Sequence, residues 1–359
     1  MTDERARWLE TSEWHPAELE NARPLAARAY TSAALFDLEV DRIFRRDWLA
    51  VGRAEELADV GSYKAIDLFG EPILLVRDAE GVINGYANVC RHRSVRMLDG
   101  CGKAAAIQCP YHLWTYGLDG ALKAAPFMER SAAFNPDTRL PLVRTEVWNG
   151  WIFACLNEMA PSLADHAAEL AQKLEPLDLA SWRQVAVLNY DSPWNWKVMV
   201  ENFAESYHVM SAHKQTLQPF WPAAQSAGQP TDGSYAELHH SNDPTMGSLT
   251  IYILFPSFMI AVSDGGPQPT ILWYDMSIEA HGRFDLSVRI FIPAGTELDD
   301  ASISSLASSV DLVHQEDIPL CAAMQRGLSS RYAAGEALSH LEQPLKVFHD
   351  YLASRLLRT

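Results

Sequence analysis

Residues 89–119 read VCRHRSVRMLDGCGKAAAIQCPYHLWTYGLD. They contain Cys90-x-His92 and, after sixteen intervening residues, Cys109-x-x-His112. Two short mixed pairs on two loops supply two thiolates and two imidazoles. That is the donor set of a [2Fe–2S] cluster of the Rieske type, thiolates on one iron and imidazoles on the other. Pro110, Gly117 and Asp119-Gly120 are the turn formers such loops need. A structural zinc site is the alternative for the same four side chains, although zinc modules usually set a Cys-Cys pair ahead of a His-His pair. The stretch is also locally basic, with Arg91, Arg93, Arg96 and Lys103. These read either as a solvated loop with local pairing or as a docking patch for an acidic electron carrier.

Outward from this stretch, the chain has 359 residues, of which 48% are apolar, enough for two domains with their own cores. The net charge of −17, from 46 acidic and 29 basic residues, argues against nucleic acid or an anionic membrane as partner. Once Cys90 and Cys109 are assigned, Cys101, Cys155 and Cys321 remain, an odd set that makes a poor disulfide framework and fits a reducing cytosol. Cys101, between two glycines, reads as a tight loop tip. The start, MTDERARWLETSEW, has no apolar segment of the signal-peptide kind, and no apolar run is long enough to span a membrane, so a cytoplasmic location is expected.

The pattern predicts an α+β fold in three stretches. Residues 1–45 form a helical segment, with Ser32 capping a helix through Trp48, and are expected to pack on the larger domain. Residues 46–156 form a small antiparallel β domain, with strands in YKAIDLF, PILLVRD, GVINGYANV and GWIFACL. Residues 157–359 form a larger domain: a strand near VAVLNYD, a helix from Val198 to Gln215, a long irregular loop over 218–248, three strand-like runs, and helices over 299–328 and 339–357. Pro319 is expected to kink or break the first of these last two helices.

The segment ENFAESYHVMSAH, Glu201 to His213, suggests a second metal site. His208 and His213 are five apart, about 140° around an ideal helix, so two ligands of one metal require a break, expected at Ser211-Ala212. Glu205 lies three before His208, on the same helical face. Iron sites that activate O₂ commonly use two His and one carboxylate. On the late helix, Leu306, Val310, Val313, Cys321 and Met324 form a core-facing stripe that also contains Asp317, whereas Asp311 and Glu316 point away from it. A carboxylate on an apolar stripe is costly unless paired or metal-bound. Asp317 is therefore the candidate third ligand, with pairing to an Arg as the alternative.

Together these residues resemble the large (α) subunits of Rieske non-heme iron oxygenases, over essentially the whole chain. Cys90, His92, Cys109 and His112 match the family's cluster ligands, and His208, His213 and Asp317 its iron ligands. Asn195-Trp196-Lys197, the ENFxExYH of Glu201 to His208 and the late EDIPLCAAMQRGL are similar to the branch of carnitine, glycine betaine and proline betaine oxygenases. Many ring-hydroxylating members have Asp where this chain has Glu205. The resemblance implies a Rieske domain followed by a helix-wrapped antiparallel-sheet domain with mononuclear non-heme Fe(II), assembled as a homotrimer. It implies O₂ and a small-molecule substrate, and an NAD(P)H-dependent reductase with flavin and a ferredoxin-type iron–sulfur centre. It also implies that Glu205 links a cluster His of a neighbouring subunit to His208. Oxidation of a quaternary ammonium compound is the first substrate expectation. Hydroxylation or dihydroxylation of an aromatic compound is the second. A Rieske electron carrier without oxygenase activity is the alternative of another class, disfavoured because it leaves the second half of the chain without a task. An aromatic cage for a cation is available from Phe203, Tyr207, Phe220, Trp221, Phe255, Phe258, Trp273 and Tyr274.

Overall fold

The computed structural model describes residues 17–357. The start of the chain, on which the absence of a signal peptide is read, lies outside the described residues. No described helix is long and apolar enough to cross a membrane. The chain divides into two compact units, one over 44–163 and one combining the N-terminal segment with the chain from Ala164 onward. Both are built on antiparallel sheets, an α+β architecture.

The 44–163 unit has ten strands: β1 (Leu49–Arg53), β2 (Ser62–Leu68), β3 (Glu71–Arg77), β4 (Ile83–Ala87), β5 (Cys101–Lys103), β6 (Ile107–Gln108), β7 (Thr115–Tyr116), β8 (Leu122–Ala124), β9 (Leu142–Trp148) and β10 (Trp151–Cys155). Seven form one sheet in the order β1-β10-β9-β4-β3-β2-β5, and β6-β7-β8 form a second. The alternation of side chains along a strand sends Leu74 and Val76 of β3 to one face. There they join Tyr86, Met97, Ile107 and Tyr116 in a core that also takes in Cys90 and Cys109. Cys101 is not at a loop tip. It begins β5, which pairs with β2 at the sheet edge, Lys64 opposite Cys101. Gly102, where a Cβ would meet the Tyr63 side chain of β2 at 3.0 Å, lets the strands approach, and Cys101 is exposed.

In the other unit, α1 (Ala33–Glu39) is capped as its sequence predicts, with Ser32 Oγ accepting from Leu35 N at 3.3 Å. The helix does not reach Trp48. It widens into a π turn over Val40–Phe44 and ends before β1. Two buried polar contacts anchor the segment: Lys197 Nζ lies 2.5 Å from Glu39 Oε1, both 1% exposed, and Tyr30 donates to Glu201 Oε1 at 2.6 Å. Seven strands follow: β11 (Arg183–Ser192), β12 (Ala227–Gly228), β13 (Tyr235–Asp243), β14 (Gly247–Leu254), β15 (Phe258–Ser263), β16 (Thr270–Ala280) and β17 (Arg283–Ile292). Strands β12 to β17 run as a meander and β11 closes onto β17. Phe284, Leu286, Val288 and Ile290 alternate inward along β17, the period of two that makes a strand amphipathic.

Three expectations change here. The stretch 218–248 is not one loop, because β13 runs through it. Its centre holds Glu237, His239 and His240, polar types that hide a strand pattern, while Tyr235, Ala236 and Leu238 are buried and β14 supplies the ladder. The helix expected over 198–215 is only α2 (Trp196–Phe203). The third concerns Pro319. Helix α3 (Asp300–Leu328) runs through it unbroken, since the ring sits on an exposed face and only one backbone bond is lost. Helix α3 packs on β11 and α2, and the last helix, α4 (Gln343–Leu356), on β12 and β13.

Candidate metal centres and cavity

The two Cys/His loops close in the same way despite their different spacing. Cys90 N donates to Val95 O and Cys90 O accepts from Ser94 N, at 2.8 and 2.9 Å. Cys109 N donates to Trp114 O and Cys109 O accepts from Leu113 N, at 2.8 and 3.1 Å. The fourth residue after each Cys is left-handed, Ser94 at φ 56° and Leu113 at φ 61°, a conformation that costs any residue with a Cβ and persists where the surroundings enforce it. Asn88 holds the first loop from behind, donating to Leu98 O and accepting from Met97 N and Leu98 N. The result puts both thiols inside the core and the imidazoles of His92 and His112 at its edge, Nδ1 to Nδ1 3.1 Å apart. The two ring nitrogens face each other as they would across one bound ion. His92 stacks on Trp114, ring centroids 5.0 Å apart at 8°. Tyr116 Oη accepts from Arg91 N at 3.1 Å and lies 3.5 Å from Cys90 Sγ. Its own proton is thereby directed at the sulfur. Burial, then the Cys90 neighbour, pushes the Tyr116 pKa up, so the hydroxyl stays a donor. Two thiols, two facing imidazoles and a directed hydroxyl fit a mixed-ligand [2Fe–2S] group. Of the four basic residues in this stretch, Arg96 pairs with Asp99 and Lys103 with Asp59, whereas Arg91 and Arg93 are exposed, Arg93 lying over the Tyr111 ring.

The second centre begins where α2 ends. The chain leaves the helix at Ala204, earlier than the expected break at Ser211-Ala212, and turns through a short 3₁₀ segment at Tyr207–Met210. Glu205 drives the turn: its Oε2 accepts from His208 N at 3.1 Å and its Oε1 lies 2.5 Å from His208 Nδ1. Glu316 plays the same part for His213, with Oε2 2.8 Å from Nδ1 while also accepting from Thr216 Oγ1 at 2.6 Å. A carboxylate at each Nδ1 fixes the proton there and leaves Nε2 as a bare lone pair. The two Nε2 atoms are 3.2 Å apart, and Asp317 Oδ1 lies 3.5 Å from that of His208 and 3.1 Å from that of His213. Donors set at right angles about one ion, each about 2.1 Å from it, are separated by about 3.0 Å, so these edges fit a single metal on one triangular face. Among the described residues, Asp317 is paired with no Arg. Its other contact is Asn202 Nδ2 at 3.3 Å. Burial raises the Asp317 pKa, but His213, His208 and Asn202 outweigh it and hold the carboxyl ionised. For His213, burial is likewise outweighed by Asp317 and Glu316, which raise its pKa.

The stripe that singled out Asp317 is corrected in detail. On α3 the buried residues are His314, Asp317 and Cys321. Leu306, Val310 and Val313 instead line a cavity, and Met324 is exposed. Glu316, expected to point away, reaches back to His213. Asp311 accepts from Tyr190 at 2.7 Å. The cavity measures 810 Å³ and includes Glu205, His208, His213 and Asp317 in its wall. Of the eight aromatic candidates, Phe203, Phe220, Trp221 and Tyr274 line it. Phe255, Phe258 and Trp273 are buried outside that lining, and Tyr207 is exposed. His240, unpredicted, also lines the cavity; its Nδ1 is 2.7 Å from Ser226 Oγ, and burial, then the nearby His239 and His208, lowers its pKa to about 4. Tyr116, Glu316, Asn202 and His240 were missed because each meets its partner only through the fold.

Residues 47–143 match the Rieske [2Fe-2S] domain, and two overlapping segments, 179–247 and 219–358, match the ring hydroxylating alpha subunit (catalytic domain). The chain belongs to the ring-hydroxylating alpha subunit family. As such it is the oxygenase component of a Rieske non-heme iron system. It carries a [2Fe–2S] cluster and a mononuclear iron, draws on a reductase and acts on a small molecule. The chain is 29% identical over 336 residues to the carnitine monooxygenase oxygenase subunit of Escherichia coli (strain K12), covering 89% of this chain and 88% of that one. It is 34% identical over 191 residues to the glycine betaine monooxygenase oxygenase subunit of Pseudomonas aeruginosa (strain UCBPP-PA14), covering 53% and 44%. Its fold matches that of the quaternary ammonium Rieske monooxygenase CntA in complex with L-carnitine at a TM-score of 0.83 and 24% identity, covering 95% of this chain and 97% of the other.

Proposed function

We propose that this oxygenase component hydroxylates a quaternary ammonium compound at a carbon next to nitrogen, ending in N-demethylation or C–N cleavage. One oxygen atom of O₂ enters the C–H bond, and the other leaves as water with two electrons and two protons. The hydroxylated carbon then releases the amine and an aldehyde. Cys90, His92, Cys109 and His112 hold the cluster, and His208, His213 and Asp317 hold the iron. The observation that carries this reading is the set of three ligand atoms 3.1–3.5 Å apart in the wall of an 810 Å³ cavity. When bound, the two metal groups supply stored electrons and O₂ activation. The protein's part is orientation. Glu205 and Glu316 fix the two imidazoles, Asn202 steadies the carboxylate, and the apolar wall keeps water from the reacting carbon. The names of the relatives support the ammonium substrate, and the aromatic wall suits it.

In this reading residues 46–156 accept electrons, and residues 157–359, with the N-terminal segment packed on them, carry out oxygenation. The chain assembles as a homotrimer in which Glu205 meets a cluster His of the neighbouring subunit. The reductase takes electrons from NAD(P)H through flavin and a ferredoxin-type centre, and the system works in the cytoplasm. Iron analysis tests the ligand sets. The intact chain holds three irons, and Asp317→Ala keeps the coloured cluster while losing the mononuclear iron. A variant that keeps all its iron and its turnover removes Asp317 from the site. Substrate-dependent O₂ uptake with betaines, choline and simple aromatics tests the chemistry. Uptake coupled only to aromatic compounds replaces the ammonium reading with aromatic hydroxylation.

A further inference from the structure

The meander presents a row of side chains to the cavity. His240 of β13 stands opposite Leu249 of β14, Leu249 opposite Ser263 of β15, and Ser263 opposite Thr270 of β16. Directly opposed residues of neighbouring strands share one face of a sheet, and all four of these line the cavity. His239, one residue earlier, belongs to the other face, where its Nδ1 lies 3.1 Å from Thr250 Oγ1. The strand period therefore turns His240, and not its neighbour, toward the substrate space.

His240 is 4% exposed, and one of its ring nitrogens is committed, Nδ1 lying 2.7 Å from Ser226 Oγ. Ser226 is buried too, and its hydroxyl has no other hydrogen-bond partner among the described residues. A ring donating at Nδ1 would strand that buried hydroxyl proton without an acceptor. The hydroxyl therefore donates to Nδ1, and the ring proton sits on Nε2. Nε2 has no partner among the described residues and, unlike both ring nitrogens of His314, is not sealed from a molecule the size of water. With Nδ1 held by Ser226, the open edge of the ring is the edge on the cavity. Burial, then His239 and His208, brings the pKa down to about 4, so the ring is neutral near pH 7. A neutral donor stands near an ammonium group without repelling it. Other polar groups of the wall are engaged: Asn202 with Asp317, Thr216 with Glu316 and Thr270 Oγ1 with Gln268 O. A ligand that displaces water from Nε2–H without offering an acceptor leaves a buried donor unmet, which costs affinity.

We infer that His240 is a specificity-determining residue whose Nε2–H donates to an oxygen of the substrate, so that the ammonium compound carries a hydroxyl, carbonyl or carboxylate oxygen besides its methylated nitrogen. This rests on the quaternary-ammonium reading above and narrows it. Calorimetric titration of the full-length iron-loaded protein compares choline, L-carnitine and glycine betaine with propyltrimethylammonium, which has a methyl group where choline has its hydroxyl. In His240→Phe the tightest of the three oxygen-bearing compounds is expected to lose about three- to tenfold in affinity, and propyltrimethylammonium less than about twofold. His240→Gln, which keeps an N–H donor, should bind the oxygen-bearing compound more tightly than His240→Phe does. Both variants should keep the iron content of the native chain, since His240 is not among the proposed ligands. Equal losses for the oxygen-bearing compound and propyltrimethylammonium overturn the inference, because the ring then only shapes the wall. An unchanged affinity in His240→Phe overturns it as well and sends the oxygen elsewhere, the metal included. Both of these results leave the ammonium reading standing. If none of the four compounds binds the native protein, the ammonium reading itself falls, and the inference with it.

Discussion

Removing one hydroxyl, in Tyr116→Phe, leaves the four proposed cluster donors in place and takes away only the bond aimed at Cys90 Sγ. Hydrogen bonds to cluster sulfurs favour the reduced state. A loss of about 0.5–1.5 kcal/mol for a one-electron couple lowers the reduction potential by about 20–60 mV. Voltammetry of the variant checks this, and an unchanged potential means the hydroxyl points elsewhere. Glu316→Leu removes the partner of His213 Nδ1 without touching a ligand atom. Iron affinity at the mononuclear site is expected to fall about 10–100-fold, with the cluster spectrum intact; competition with a chelator measures it. His240 gives a pH signature. Its pKa falls from 6.5 to about 4 on folding, so between those values the unfolded chain binds the extra proton and stability declines as pH drops. The loss reaches on the order of 3 kcal/mol near pH 4. Urea unfolding of the native chain against His240→Asn should show that slope in the former and a shallower one in the latter. At this scale the candidate ligand sets could be proposed from the sequence because cluster donors come in local pairs and His208 and His213 share one short segment. Their partners could not. Tyr116 reaches Cys90 from 26 residues away, and Glu316 reaches His213 from 103.

Elements were legible where one pattern dominated. The strands of PILLVRD and FDLSVRIFIP declare themselves through apolar content. β13 does not, because its polar centre is rescued by pairing with β14. The end of α2 was misplaced for a related reason. A helical period runs on through Val209, but Glu205 offers His208 N a closer acceptor and the chain turns there. What holds α1 to α2 is also polar: Lys197 and Glu39 form a pair buried to 1%, and Trp196 Nε1 donates to Glu39 Oε2 at 2.8 Å. Lys197→Met leaves a buried carboxylate without its cation and is expected to cost about 3–5 kcal/mol. Replacing both, Glu39→Leu with Lys197→Met, should recover most of that, since neither charge then has to be desolvated. Denaturant unfolding of the single and double variants decides it. A double variant as unstable as the single one means the pair is net stabilising rather than merely costly to break.

Across the whole molecule the charge is segregated. Residues 44–163 hold 13 Lys and Arg against 14 Asp and Glu, a net of −1, so the remaining −16 of the total −17 lies in the other unit. Within the cluster-bearing stretch 89–144 the balance reverses, with 8 basic residues against 4 acidic, a net of +4. Of the two readings of this basic stretch, local pairing holds for two of the four basic residues in 89–119. Arg96 and Lys103 pair locally. Arg91 and Arg93 remain exposed beside His92, with Tyr111 and Leu113 exposed alongside. A basic rim around an exposed apolar patch suits an acidic electron donor, steered through water over about 10 Å at 0.1 M salt. An acidic donor approaching the other unit would be repelled by the same forces. Reduction of the cluster by an acidic ferredoxin-type donor should therefore slow as salt rises. Arg91→Glu with Arg93→Glu should slow it about tenfold at low salt, with the difference vanishing at high salt. An uncharged chemical reductant should reduce both proteins at one rate, since neither arginine is a cluster donor. Stopped-flow bleaching of the cluster measures all three. A rate that ignores salt, or a double variant reduced as fast as the native chain, places the donor on another face.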